Sequence, residues 1–314
     1  MTNKIPIVDF FPYFQLTGIE LLELRIKLLS EYVDKFVICE SNKTQSGKPL
    51  QRNLKKVIKE LNLPLDKIQI IELDIPDDPY LPVKEIDKIN CYENNSANIE
   101  SVLARTRERL QKDSLLKVLH MFRDDAVFIV GDSDEIINPK HIQYIAKWAR
   151  EIPTSIIKIP LVHLEGKADL RVYNKEPDTP KMWDKGMFFC IKEQLKRATP
   201  TMIRSNVNSP FQISYLTQNN TRLEDLGWHF SWMGNSLRRK IKRESFTHFN
   251  DTFSFLNNTS YNSESVIKVV EAQTFKEGDV PPSGDITETL KNYDSSLLPK
   301  EVFELSAVKN LLFN

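Results

Sequence analysis

The chain has 314 residues, with 43 Lys or Arg against 43 Asp or Glu, so its formal charge is +0. No overall field draws such a chain toward nucleic acid or an acidic membrane. Its composition, 40% hydrophobic and 27% charged, is that of a globular protein of one large domain or two small ones.

The opening residues, MTNKIPIVDFFPYF, lack the basic start, apolar core and cleavage site of a signal peptide. No stretch approaches the roughly 18 uninterrupted apolar residues of a membrane span. The expectation is a cytoplasmic chain without a transmembrane segment, with a peripheral membrane contact left open. Cys39, Cys91 and Cys190 are far apart and show no CxxC spacing. They read as free thiols in a reducing compartment, not as a zinc site. Sequons such as Asn42-Lys43-Thr44 read as chance in an Asn-rich chain.

Ile5–Phe10 reads as a first strand. Thr17-Gly18-Ile19-Glu20 fits a capping box, and a Leu-rich helix follows to about Glu31. Asp34–Glu40 reads as a second strand, residues 52–61 as a weaker helix, and Ile68–Leu73 as a third strand. Strands separated by helices imply an α/β fold with a mostly parallel sheet flanked by helices. Residues 74–95, rich in Pro, Asp and Asn, read as a long surface loop. A helix from about Asn98 to Phe122 feeds the buried-type strand Ala126–Gly131. Past Pro139 a helix to about Arg150 is expected. The runs Ile156–Leu164 and Met187–Lys192 read as strands separated by a polar loop. Helical patterns return near 235–246 and 264–275, and residues 276–300 read as a loose tail.

Asp132-Ser133-Asp134-Glu135 directly follows an apolar strand. In open α/β sheets ligands bind beyond the carboxyl ends of strands. Two carboxylates at i and i+2, with a small residue between, can face one hard cation and a diphosphate together. Mn²⁺ and Mg²⁺ take oxygen ligands and share them with phosphates. The alternative is a solvated acidic turn capping the next helix, since a bare DxD is frequent by chance.

Further segments narrow the choice. Ile7-Val8-Asp9-Phe10-Phe11, Glu20-Leu21-Leu22-Glu23-Leu24-Arg25, the run Val33–Thr44 and Gly47-Lys48-Pro49 come first. Asp132-Ser133-Asp134-Glu135-Ile136, Gly227-Trp228-His229-Phe230-Ser231 and Ser245-Phe246-Thr247-His248 follow in order. Together, over roughly residues 5–250, they resemble glycosyltransferase family 17, which includes the eukaryotic enzymes that add bisecting N-acetylglucosamine to N-glycans. The resemblance implies a GT-A-like fold and metal-dependent, inverting transfer from a nucleotide sugar, with UDP-N-acetylglucosamine or another UDP-sugar and Mn²⁺ (or Mg²⁺). The partners it implies are a sugar donor and a glycan acceptor, not nucleic acid. The chain departs from the eukaryotic members in showing no N-terminal membrane anchor, which bears on location and acceptor.

Within that frame Asp134 is the first choice for a metal ligand, with Asp132 next to it or reaching the donor ribose. Glu135 reads either as a third acidic contributor or as a helix cap. His229 reads as a further metal ligand of the kind GT-A enzymes take late in the chain, or as a packed residue among aromatics. His248 has the same two readings, and Trp228 and Trp232 stack on a sugar or pack in the core. The base that removes the acceptor proton is expected at Asp225, with Glu224 as alternative. The basic run Ser236–Arg243, with Lys240 at its centre, meets the diphosphate or forms a solvated helix face. Asp9, Arg25 and Glu40 are read as nucleotide contacts, or Arg25 and Glu40 as a structural ion pair. Arg105, one helical turn from Arg109, reaches the donor or pairs with Glu108 or Asp113.

Residues 1–250 are expected to form the transferase domain, and 251–314 a helical or irregular extension packed on it. Two competing classes are a sugar nucleotidyltransferase and a non-catalytic protein that binds carbohydrate or nucleotide sugar. Asp9-Phe10-Phe11-Pro12 is not the Gly-rich basic loop that opens the first class, and the intact acidic cluster argues against the second. A P-loop and a GxSxG elbow are absent from the sequence.

Overall fold

β1 (Ile7–Tyr13), β2 (Lys35–Ser41) and β3 (Ile68–Leu73) are parallel neighbours. A computed structural model of the protein describes residues 4–13, 19–92, 99–166, 168–215, 226–231, 278 and 287–305. Between these strands run α1 (Ile19–Leu29) and α2 (Leu54–Glu60). β4 (Val127–Val130) pairs parallel with β1 on its other side. The sheet continues through β11 (Phe188–Ile191), β6 (Ser155–Lys158) and β12 (Gln212–Tyr215), in the order β12-β6-β11-β4-β1-β2-β3. β11 alone among these runs against the rest.

The strand residues are apolar in both alternate sets, and each set fills one face. Ile7, Phe11, Phe36, Ile38, Val127 and Ile129 pack with α1 and with α5 (Pro139–Glu151). Val8, Phe10, Val37, Cys39, Phe128 and Val130 pack on the opposite side, with Leu195 of α6 (Lys192–Arg197) and Ile203 of α7 (Pro200–Ser205). Such two-sided burial is what a parallel sheet requires.

A second sheet has the order β14-β8-β7-β13-β5. Its strands are β5 (Glu135–Ile137), β7 (Leu161–Glu165), β8 (Leu170–Asn174), β13 (Gly227–Ser231) and β14 (Glu288–Asn292). Short strands β9 (Thr179–Pro180) and β10 (Met182–Trp183) flank β8 and β7. Leu161, Val162, Trp228 and Phe230 join this sheet to the α1 and α5 side of the core.

Five sequence expectations need correction. The loop expected at 74–95 contains α3 (Glu85–Tyr92). Its ordering comes from polar burial, which an apolar-period reading does not register: Asp87 is buried and accepts from Arg109 and Thr106 of α4 (Ile99–Asp113). The helix expected to reach Phe122 ends at Asp113, whose carboxylate accepts the Thr201 N–H, and gives way to 3₁₀ turns. The single run at 156–164 is two strands in two sheets, broken at Pro160, which has no N–H to give a ladder. The polar stretch after it carries β8 to β10. The tail expected at 276–300 contains β14, which pairs antiparallel with β8 and buries Leu290 against Leu170 and Val172.

Cys39 and Cys190 are buried free thiols, and burial pushes the Cys39 thiol up to about 12. Thr17, Gly18 and the helical patterns at 235–246 and 264–275 lie outside the described residues. Among the described residues, no helix is long and apolar enough to cross a membrane.

Candidate active site

The acidic cluster is the crossing from the first sheet to the second. β4 ends at Val130, Gly131 donates its N–H to the Phe10 carbonyl (3.2 Å), and β5 begins at Glu135. No helix follows directly. α5 starts at Pro139 and is capped by Asn138, so Glu135 is not a helix cap. Glu135 is fully buried and closes the turn, its Oε2 accepting the Asp132 N–H at 2.8 Å.

The loop is gripped from beneath by Arg25 of α1, itself fully buried. Its Nε and one terminal nitrogen bond both oxygens of Asp9 at 2.8 and 2.7 Å. The other terminal nitrogen donates to the carbonyls of Asp132 (2.6 Å) and Glu135 (2.7 Å). The guanidinium also lies 4.4 Å from the centre of the Phe11 ring. On the far side, Phe230 of β13 donates its N–H to the Asp134 carbonyl at 2.8 Å. Gly227 lets β13 come this close. Its φ of +151° and the overlap that a Cβ would make with the Ile136 carbonyl both demand glycine.

Above the loop lies Arg204 of α7. It donates to Asp132 Oδ2 at 2.5 Å and to both oxygens of Glu135 at 2.9 and 3.1 Å. Trp183 Nε1 adds a bond to Glu135 Oε1 at 2.6 Å. Burial alone would raise the Glu135 pKa, but the Arg204 and His229 charges outweigh it and hold the carboxyl at about 2. The same two carboxylates push Arg204 above its ordinary range against its own burial. Lys112 of α4 places Nζ 3.5 Å from Asp132 Oδ1 and 2.5 Å from Glu108, which in turn binds Arg105 at 2.7 Å. Burial opposes ionisation of Glu108, and Lys112 and Arg105 overcome it, keeping its carboxyl well below the usual range.

Gly186 closes the pocket around Glu135, because a Cβ there would overlap Glu135 Oε1 and Trp183 Nε1. Gly186→Ala is therefore expected to lower stability by about 1–3 kcal/mol, the scale of overpacking. Urea unfolding checks this, and an unchanged midpoint would mean that Glu135 is not tightly enclosed.

The third wall is an aromatic stack of two buried histidines and the half-buried Trp183. β13 and β7 are parallel and set His229 opposite His163, with ring centroids 5.0 Å apart. Trp183 stacks on His229 at 4.3 Å. His163 Nε2 lies 2.9 Å from Glu165 Oε1 without the alignment of a hydrogen bond. His229 Nε2 lies 3.8 Å from Asp134 Oδ1. Among the described residues no three Asp, Glu, His or Cys side chains are arranged to cage an ion. Asp134 and His229 do supply an oxygen and an imidazole donor side by side. Asp132 Oδ1, buried and without a hydrogen-bond partner among the described residues, is a further oxygen. That set fits an ion shared with phosphate oxygens better than one enclosed by protein.

Asp132, Asp134, Glu135 and His229 thus come together, while the other expected site residues fall elsewhere. Asp9 and Arg25 are buried supports consumed by each other and by the loop carbonyls, so neither presents polar atoms to a nucleotide. Glu40 does not pair with Arg25. It is buried and accepts the N–H groups of Asn53 and Leu54 at 2.6 and 2.8 Å, satisfying the start of α2. Arg105 pairs with Glu108, which in turn bonds Lys112. Trp228 is core. Glu224, Asp225, Trp232, Lys240 and His248 lie outside the described residues. Sequence reading missed Arg204, Lys112, Trp183 and His163. Lys112 is one of four cations on α4 and Arg204 lies near the end of α7; nothing local marks either, because the fold alone brings them to Asp132.

The sequence matches the family described as Glycosyltransferase family 17 over residues 14–270. No curated protein sequence matches significantly. Among solved structures, one similar chain is glucosyl-3-phosphoglycerate synthase from Mycobacterium tuberculosis in complex with phosphoglyceric acid. It shows 13% identity and a TM-score of 0.34, covering 71% of either chain. A second structure of the M. tuberculosis synthase shows 12% identity and a TM-score of 0.31, covering 77% of this chain and 80% of that one.

Proposed function

Because the chain belongs to glycosyltransferase family 17 and is a glycosyltransferase working from a nucleotide-sugar donor to an acceptor, we propose that the crossing loop after β4 is its donor site. Family membership sets aside the nucleotidyltransferase and non-catalytic readings. The carrying observation is the convergence of Asp132, Asp134 and His229 at the carboxyl end of a parallel strand, where α/β sheets bind ligands. In this reading Asp134 and His229 hold a divalent cation, Mn²⁺ or Mg²⁺, and Asp132 contributes Oδ1. When bound, that ion acts as a Lewis acid for the departing diphosphate.

The arrangement is GT-A-like, with UDP-N-acetylglucosamine or another UDP-hexose as donor and a glycan hydroxyl as acceptor. Arg25 keeps the loop carbonyls in place, so the two carboxylates reach the donor without reorganising. Asp225, with Glu224 as alternative, takes the acceptor proton in an inverting displacement, and Lys240 meets the diphosphate. Residues 1–250 form the transferase domain in the cytoplasm, and 251–314 pack on it. The pairing of β14 with β8 supports that packing.

Calorimetry with UDP-N-acetylglucosamine, UDP-glucose, UDP-galactose and GDP-mannose, in Mn²⁺ and then in EDTA, tests the reading. Mn²⁺-dependent binding of a UDP-sugar is expected. Asp225→Asn should keep that binding and lose transfer by about 100-fold, the scale of a missing general base. Donor binding that is indifferent to EDTA, or no donor binding in Mn²⁺, would overturn it.

A further inference from the structure

From α4 across the loop to α7, cations and carboxylates alternate in the order Arg105, Glu108, Lys112, Asp132, Arg204, Glu135. The two carboxylates that Arg204 joins have different needs. Glu135 is fully buried, and one guanidinium bonded to both its oxygens is what a buried carboxylate requires. Asp132 is 23% exposed, although its Oδ1 is buried, and a partly solvated carboxylate gains less from ion pairing than a fully buried one. Yet two cations from two different helices converge on it, one at each oxygen: Arg204 at 2.5 Å and Lys112 at 3.5 Å. Both retain some solvent access, 15% for Arg204 and 10% for Lys112. Stabilising the loop does not explain this doubling, since Arg25, Phe230 and Glu135 already fix its backbone.

We propose that Lys112 and Arg204 are diphosphate-binding residues, parked on Asp132 until the donor arrives. A divalent cation held at Asp132 would repel Lys112 and the Arg204 nitrogen that faces Asp132, and phosphates accompanying it would accept from both, while the other terminal nitrogen of Arg204 stays on Glu135. This rests on the reading of the loop as the donor site. It makes the pair competitors of the metal and allies of the anion, and the two effects have opposite signs. A purely structural role would weaken both kinds of binding or neither.

The test uses the full chain and two ligands: Mn²⁺ alone, and inorganic pyrophosphate in EDTA, which is independent of the base and sugar. Lys112→Met is expected to bind Mn²⁺ several-fold more tightly and pyrophosphate about ten-fold more weakly, the scale of one charge-assisted phosphate contact. Arg204→Lys should show the same two directions, because a lysine cannot span Asp132 and Glu135 together. Should Arg204→Lys fail to fold, Lys112→Met carries the test alone, since its partners Glu108 and Asp132 are both partly exposed. Unchanged pyrophosphate binding in the variants, or weakening of pyrophosphate and Mn²⁺ together, overturns the assignment. If wild type takes up no Mn²⁺ while Lys112→Met still loses pyrophosphate, the metal reading of the loop fails and the assignment of the cations stands.

Discussion

Replacing Asp134 with alanine is expected to reduce sugar transfer by at least about 100-fold, the scale of losing one preorganised electrostatic contact at a reacting centre. The unfolding midpoint should stay close to that of wild type. The two halves of this expectation come from different atoms of the same residue. The carboxylate is 20% exposed and faces His229 rather than the core, so its removal takes little from packing. The backbone carbonyl, which accepts from Phe230, is untouched by the substitution, so the loop keeps its path. Transfer assays beside thermal unfolding by circular dichroism check it. Near-normal transfer by the variant would remove Asp134 from the chemistry.

Arg25→Leu is expected to behave in the opposite way, with stability falling by about 3–5 kcal/mol, because a buried carboxylate loses the guanidinium bonded to both its oxygens. Both partners of the Asp9–Arg25 pair are fully buried. The double variant Asp9→Leu/Arg25→Leu removes the stranded charge and should regain much of that loss. It should not regain activity, since the Asp132 and Glu135 carbonyls still lack the guanidinium that holds them. Urea unfolding and transfer assays on the single and double variants separate the two roles. A single-variant loss below about 1 kcal/mol would mean that water reaches the pair, which buried-pair energetics do not allow.

What could be read from the sequence followed periodicity. Ala126–Val130, before the acidic cluster, is a continuous apolar run, Ile68–Leu73 is rich in β-branched residues around Gln69 and Glu72, and both segments form strands. Where order depends on polar burial, the sequence is silent. α3 is ordered through Asp87 and its bonds to Arg109 and Thr106, and no hydrophobic stripe announces it. The run 156–164 reads as one strand by composition, and only the change of sheet at Pro160 divides it. At the site, Asp132, Asp134 and His229 were legible because they sit in motifs. Arg204 and Lys112 were not, because each takes its meaning from Asp132, a partner on another element. Asp9, Arg25 and Glu40 each stand out in the sequence, but it offers Glu40 as the partner of Arg25, and only the fold gives that place to Asp9.

The motif Gly227–Ser231 has a consequence for how the site comes into being. β13 lies between β5 and β7, so the Asp134 carbonyl finds its partner, Phe230, only after every strand of the first sheet has been made. A growing chain that has emerged as far as Tyr215 therefore contains every strand of the first sheet but not the segment that splints the acidic loop. Contacts of such long sequence separation form late, after the entropy of closing a long loop has been overcome. The order of synthesis itself delays the completed site until the second sheet can close over it.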